Sequence, residues 1–145
     1  MKTLSQEPQF SGWGLYCSAW LVALIATLSA LFIGEVLGQM PCTLCWYQRI
    51  AMFPLVVILG IGCFRSELSA IDYALPIAFA GAGFALYHSL VYGNIINQVT
   101  PCDASNSCSG SAMTILGVVP LPYLSLLSFA LIISLLIITS RKNRS

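Results

Sequence analysis

The stretch MPCTLCWYQRIAMFPLVVILGIGCF, residues 40–64, joins a C-x-x-C motif to a long apolar run. Arg49 is the only charged residue of the run 47–64. A helix needs about 20 apolar residues to cross the hydrocarbon core of a bilayer. The run approaches that length, and it therefore predicts a membrane-spanning helix with two cysteines at its mouth.

The composition extends this prediction to the whole chain. Apolar residues make up 58% of the 145 residues and charged residues 8%, against about 25% charged residues in soluble proteins. Four apolar stretches are long enough to span, at 15–37, 47–64, 73–93 and 121–140. We therefore predict an all-α fold, an integral membrane four-helix bundle that forms one domain over residues 1–145. The net charge of +1 argues against a nucleic-acid partner.

The first apolar stretch has a second interpretation as a cleaved signal peptide. Its preceding segment carries only Lys2 against Glu7, and its apolar run exceeds the ~7–15 residues of a signal peptide. We expect an uncleaved first helix.

The basic residues predict the orientation. With four spans, all of them except Arg49 fall on one side of the membrane. The positive-inside rule then places both termini in the cytoplasm. Two segments are left outside, 38–46 and 94–120.

The six cysteines divide between the two sides of the membrane. Two pairs fall in the outer segments, Cys42 with Cys45 and Cys102 with Cys108. Disulfides persist outside the cytoplasm and are rare within it. We therefore expect the outer pairs to be oxidisable, whereas Cys17 and Cys63, near the inner helix ends, stay reduced as small packing residues.

A redox role for the outer pairs competes with two others. A disulfide that only staples so short a loop gains about 2 kcal/mol, and C-x-x-C pairs are often redox-active because the partner thiol is always within reach. A tetrahedral zinc site usually combines two C-x-x-C knuckles, whereas Cys102 and Cys108 have C-x5-C spacing. We favour redox chemistry and expect no metal, with stapling and metal binding as alternatives.

Arg49 follows Cys45 by four residues and should lie on the same helix face, one turn deeper. If the helix starts near Trp46, its free N–H groups favour a thiolate at Cys45. An arginine inside the hydrocarbon indicates function, although snorkelling to the headgroups is the alternative. A cation below a thiolate, facing lipid, suggests a docking place for a lipid-soluble electron acceptor such as a quinone.

The motif P-C-T-L-C-W-Y-Q-R-I resembles the signature of DsbB-type disulfide bond formation proteins, especially the short BdbC-like branch. The segments GEVLG at 34–38 and VPLPY at 119–123, and the P-C-x5-C pair at Cys102 and Cys108, resemble that branch too. The resemblance covers roughly residues 15 to 140. It implies a bacterial inner-membrane thiol:quinone oxidoreductase that reoxidises an extracytoplasmic thioredoxin-like thiol oxidase (DsbA/BdbD-like) and thereby supports disulfide formation in exported proteins.

The same resemblance implies roles for individual residues. The partner attacks the Cys102–Cys108 disulfide and is held on Cys102, Cys108 then attacks Cys42, and Cys45 leaves as a thiolate. Cys45 passes its electrons to menaquinone or ubiquinone, and Arg49 stabilises the thiolate and the reduced ring. His88, the only histidine, is implied to neighbour the quinone, although a histidine hydrogen-bonded within the bundle fits equally.

One position departs from part of the family. Gln48 stands where some members carry a glutamate, which leaves its contribution to a quinone site open. Two other functions remain as alternatives. A vitamin K epoxide reductase-like enzyme also has four helices and two cysteine pairs, but there the C-x-x-C follows the loop pair. A membrane scaffold or metal-handling protein would use the cysteines structurally.

Overall fold

The computed structural model describes residues 10–97, 114–115 and 118–145. The four main helices are α1 (Phe10–Leu31), α2 (Thr43–Arg65), α3 (Ala70–Tyr92) and α4 (Leu121–Arg144). A π-helical turn, Phe32–Val36, extends α1. Each of the four is long and apolar enough to cross a membrane, and the predicted all-α membrane four-helix bundle is confirmed. Cys102 and Cys108 lie outside the described residues.

Four of the five basic residues that the structure describes lie at one end of the bundle. Arg65 lies in the last turn of α2, and Arg141, Lys142 and Arg144 lie in the last turns of α4. We refer to this end as the inner end. The opposite end, where α2 and α4 begin and α3 finishes, is the outer end. The positive-inside rule assigns the inner end to the cytoplasm.

Proline and turn residues set the helix ends. Pro120 caps α4 and Pro122 lies in its first turn, where a missing N–H costs little. Ser66, with φ of 55°, ends α2 in the left-handed conformation. Two-residue strands β1 (Thr114–Ile115) and β2 (Val119–Pro120) pair antiparallel just before α4. The sequence analysis predicted no strand, because segments this short carry no recognisable alternation.

The helices pack in a ring, in which each helix makes its main contacts with two others. The bundle centre contains large side chains from three helices, including Tyr16 of α1, Leu55 and Leu59 of α2, and Phe129 of α4. The helix α3 contributes mainly small residues, and a Cβ at Gly81 would collide with the ring of Phe129. Small residues therefore allow close helix approach.

Large apolar side chains also cover the outside of the bundle. Ile25, Phe64, Tyr73 and Leu127 are each more than 60% exposed. In water such a surface would be an aggregation hazard, but lipid tails are as apolar as these side chains. The exposed apolar surface therefore fits a bundle surrounded by lipid.

Cys17 and Cys63 form a disulfide between α1 and α2, with Cα atoms 5.4 Å apart. The expectation that both stay reduced was wrong. It applied a rule about the cytoplasm to two residues that face each other across a helix contact inside the bundle. A hydrogen bond joins the same two helices beside the disulfide: the Trp13 indole N–H donates to the Cys63 carbonyl at 2.9 Å.

Candidate redox site

Cys42 and Cys45 lie together at the outer end of the bundle, where α2 begins. Cys42 is the N-cap residue of α2, with extended backbone angles, and its sulfur accepts a hydrogen bond from the Cys45 backbone N–H at 3.4 Å. The two Sγ atoms are 3.1 Å apart and not bonded to each other. The structure therefore holds this pair as a dithiol in which the sulfurs are already in contact.

The helix start differs from the sequence-based expectation. The premise that α2 starts near Trp46 was wrong, because the helix begins at Thr43. The sulfur that meets a free backbone N–H is consequently that of Cys42 and not that of Cys45. The reason is local: Cys42 adopts the N-cap conformation itself, and residues before an apolar run do not reveal which of two cysteines will cap it.

Cys42 is the more enclosed of the two cysteines. It is 1% exposed and packs with Leu44 and Val91, whereas Cys45 is partly exposed. A hydrogen bond from the Cys45 thiol lowers the pKa of Cys42 well below its ordinary value. Burial opposes this effect, and contacts with His88 and with the Cys45 backbone N–H reinforce it. Cys42 is therefore the thiol of the pair whose anionic form its surroundings favour.

His88 lies beside this cysteine. The imidazole is completely buried in α3, with Nε2 at 3.8 Å from Cys42 Sγ. Its other nitrogen, Nδ1, is 3.1 Å from the Gln48 amide nitrogen. With the amide in this orientation its N–H donates to Nδ1, and the matching imidazole tautomer carries its proton on Nε2, next to the Cys42 sulfur. Gln48 thus holds the imidazole in the tautomer that donates to Cys42.

Arg49 is fixed to the end of α1. Its guanidinium donates to the Ala30 carbonyl at 2.7 Å, near the point where α1 passes into the π-helical turn. Gly34 in that turn leaves the room, because a Cβ there would come within 2.8 Å of the Arg49 Nη2 atom. Trp46 covers the charge at 5.7 Å from its ring. The arginine is held by protein groups, and snorkelling is not needed to satisfy it.

A cavity of about 690 Å³ opens between α1, α2 and α4. Its walls are mostly aliphatic and aromatic side chains, joined by Cys45, Gln48 and Arg49. Two further wall residues, Thr27 and Gln39, carry buried side-chain oxygens, Oγ1 and Oε1, that have no hydrogen-bond partner within the described part of the chain. Ligand sites are typically apolar with a few placed polar groups, and this cavity has that composition.

The structure brings together four of the six predicted site residues. Cys42, Cys45, Arg49 and His88 all lie at the outer end, but His88 is not in the cavity wall. It reaches the wall through Gln48 and contacts Cys42 instead. The prediction that His88 neighbours a quinone is not tested by this geometry, which gives it a nearer contact with sulfur.

Sequence reasoning missed several residues of the site. Gly34 leaves room for the Arg49 guanidinium, and the backbone carbonyl of Ala30 accepts its hydrogen bond. Neither contact can be recognised from the sequence. Thr27 and Gln39 could have been singled out from the sequence, though only weakly, since polar side chains within or next to an apolar span are unusual. Gln48 was left open, and its contacts with His88 and the cavity now give it a position in the site.

The comparisons with known proteins agree with one another. The family model for disulfide bond formation protein DsbB matches residues 13–139. A probable disulfide formation protein of Metapseudomonas resinovorans is 56% identical over 141 residues, covering 94% of this chain and 98% of the relative. Disulfide bond formation protein C of Bacillus subtilis is 43% identical over 122 residues, covering 82% of this chain and 86% of the relative. No solved structure matches the chain significantly.

Proposed function

The chain belongs to the DsbB family of disulfide bond formation proteins, and from that premise we propose that it is a thiol:quinone oxidoreductase. The family and the four spanning helices make it a multi-pass protein of the bacterial inner membrane with a role in disulfide formation. One observation carries the proposal furthest. Cys45 contacts Cys42 on one side and shares the wall of an apolar cavity with Arg49, so a thiol pair and a space for a lipid-soluble acceptor meet at one residue.

The electrons enter from a reduced thioredoxin-like thiol oxidase outside the cytoplasm. Its thiolate attacks the Cys102–Cys108 disulfide at Cys102, and Cys108 leaves as a thiolate. Cys108 then attacks Cys42 in a Cys42–Cys45 disulfide, and Cys45 is released. When the remaining mixed disulfides resolve, the partner and the second loop are oxidised, and two electrons and two protons rest on Cys42 and Cys45.

The low pKa of Cys42 suits this order of events. A disulfide breaks most readily at the bond whose departing sulfur is stabilised as a thiolate. When the bond between Cys108 and Cys42 is resolved by Cys102, the departing sulfur is that of Cys42. The hydrogen bonds from His88 and from the Cys45 N–H stabilise it at that moment. We propose that His88 acts on the Cys42 sulfur, with Gln48 as its positioning residue.

The residues of the cavity fit a quinone, either menaquinone or ubiquinone. Its walls are apolar enough for the ring and the start of an isoprenoid chain. The Thr27 hydroxyl would donate to a quinone carbonyl, and the Gln39 Oε1 atom would accept a hydrogen bond from a hydroxyl of the reduced ring. A bound quinone would supply a two-electron, two-proton acceptor. Arg49 would hold positive charge beside Cys45 and the acceptor, and Cys45 and Cys42 would close their disulfide as the dithiol is oxidised.

The test compares wild-type protein with the Cys45→Ser variant in proteoliposomes that contain ubiquinone. A reduced thioredoxin-like thiol oxidase is added outside, and quinol formation is followed by absorbance. We expect turnover in the wild type and a loss of at least a hundredfold in the variant, which should still form the mixed disulfide at Cys102. Undiminished quinol formation by Cys45→Ser would contradict the proposal.

A further inference from the structure

We propose that the reduced Cys42–Cys45 pair and His88 form a binding site for a thiophilic divalent ion of the zinc class, and that this ion reversibly inhibits the protein. Their ligand atoms, two sulfurs and the imidazole Nε2, all lie within 4.8 Å of one another. The binding itself does not depend on the proposed quinone chemistry. Its inhibitory effect does, because inhibition requires that this dithiol be the electron donor.

The distances are close to those of a tetrahedral site. With Zn–S bonds of about 2.3 Å and Zn–N bonds of about 2.0 Å, neighbouring ligand atoms should be roughly 3.5–3.8 Å apart. The distance from Cys42 Sγ to His88 Nε2 is 3.8 Å, and the distance between the two sulfurs is 3.1 Å. The two sulfurs must separate slightly, and the third distance, from Cys45 Sγ to the His88 ligand atom, is within 4.8 Å. Cys45 is the less buried of the two cysteines, and we expect its side chain to make the adjustment.

The charges of the donor set also suit the location. Two thiolates and a neutral imidazole give a charge of −2, which a divalent cation neutralises. Cys42 and His88 are almost fully buried, and a neutral complex avoids the cost of leaving a net charge in a low-dielectric place. Each thiol loses a proton when the ion binds, and no electrons move.

Gln48 supplies the outer contact that metal-bound histidines usually have. A histidine bound through Nε2 donates its Nδ1–H to an acceptor that fixes the ring. The Gln48 amide lies 3.1 Å from Nδ1, and turning the amide over presents its oxygen instead of its nitrogen. The same pair of side chains can therefore serve Cys42 in the metal-free protein and the ion in the bound protein.

The proposed site has three protein ligands, and its fourth position would open toward the cavity. Cys45 contributes to the wall of the 690 Å³ cavity, and this leaves room for a water molecule on the ion. Structural zinc sites have four protein ligands, whereas a site with three protein ligands keeps one open position. We therefore expect binding that a chelator reverses, in contrast to a closed structural site.

Binding of the ion would block electron flow through the cysteine pair. A dithiol held by the ion cannot close its disulfide, whereas the oxidised pair offers no thiolate ligands. The ion can thus bind only between reduction of the pair and its reoxidation. An excess of such an ion outside the cytoplasm would stop the protein in its reduced state.

The binding experiment uses a Cys102→Ser/Cys108→Ser variant, so that the second loop contributes no thiols. Co²⁺ is titrated into the reduced protein, the charge-transfer and ligand-field absorbance is recorded, and Zn²⁺ is added to displace it. We expect one ion per chain with the absorbance of a tetrahedral thiolate site. His88→Phe should bind at least tenfold more weakly, and Gln48→Leu about tenfold or more.

Two controls accompany these variants. The same protein with Cys42 and Cys45 oxidised, which needs no further substitution, should show no such absorbance, and Ser134→Ala, at an exposed position of α4, should bind as tightly as the parent. Equal binding by the oxidised protein, or unchanged affinity in His88→Phe, would overturn the site.

Inhibition is measured separately, on the wild-type protein. Zn²⁺ should stop quinol formation, and a chelator should restore it. Binding without inhibition would overturn the inhibitory role and leave the site standing. Binding in a preparation that never reduces quinone would count against the proposed function alone.

Discussion

At the scale of single residues, two neighbours, Cys45 and His88, decide the chemistry of Cys42. Its sulfur caps α2, and it receives contacts from the Cys45 N–H and from His88. The C-x-x-C motif identified the pair, but it did not show which sulfur would meet the helix N-terminus. That choice depends on the residue at which α2 begins and on a histidine from another helix. Both are set by tertiary packing.

The contact between His88 and Cys42 leads to a prediction about pH. In reduced protein, the His88→Phe variant loses a donor to the Cys42 thiolate, so the pKa of Cys42 should rise. A hydrogen bond to a charged group contributes about 1.5 kcal/mol or more, which corresponds to roughly tenfold in the acid dissociation constant. The thiolate absorbance of the Cys102→Ser/Cys108→Ser protein should therefore appear at higher pH in the variant. Ser134→Ala, at an exposed position of α4, serves as the control, and an unmoved midpoint in His88→Phe would refute the contact.

At the scale of elements, the end of α1 positions the charge of the site. The π-helical turn Phe32–Val36 brings Gly34 against the Arg49 guanidinium, and the Ala30 carbonyl accepts its hydrogen bond. π-helical turns are frequent at functional sites. The apolar run of α1 predicted a helix but not this change of winding, because a π-turn depends on the partner that occupies the space it opens.

Gly34→Ala tests this arrangement. The added methyl group would meet Arg49 Nη2 at 2.8 Å, so the guanidinium must move and its bond to Ala30 is weakened. We expect the KM for quinone to rise about tenfold, which corresponds to ~1.4 kcal/mol, while exchange between the partner and Cys102 is unchanged. Gly14→Ala, in the same helix, is the matched control because a Cβ there meets nothing within 4 Å. Equal KM values for the two variants would show that Arg49 is not held as described.

At the scale of the whole molecule, composition alone predicted most of the architecture. Four apolar runs became four helices, because backbone groups in lipid must be satisfied within the segment. Among the described residues, every basic side chain except Arg49 belongs to the inner end, and the position of Arg49 in a span pointed to the site. The pairing of Cys17 with Cys63 was not predictable, since it depends on which faces of α1 and α2 meet.

The Cys17–Cys63 disulfide should stabilise the bundle as a whole. It links residues 46 positions apart, and cross-links of this kind typically contribute about 2–4 kcal/mol. We expect Cys17→Ser to lower the thermal unfolding temperature in detergent, and the Cys17→Ser/Cys63→Ser variant to match it. Mass spectrometry after alkylation under denaturing conditions should find both cysteines protected in the wild type. Free thiols at both positions, with an unchanged unfolding temperature in Cys17→Ser, would contradict the bond.

The central claim is that the Cys42–Cys45 dithiol itself reduces a quinone. A single-turnover experiment tests it most directly, with reduced Cys102→Ser/Cys108→Ser protein mixed rapidly with one equivalent of ubiquinone and quenched by acid and alkylation. The account predicts one quinol and one Cys42–Cys45 disulfide per chain, formed at the same rate. Quinone that remains oxidised while the dithiol remains reduced would contradict it.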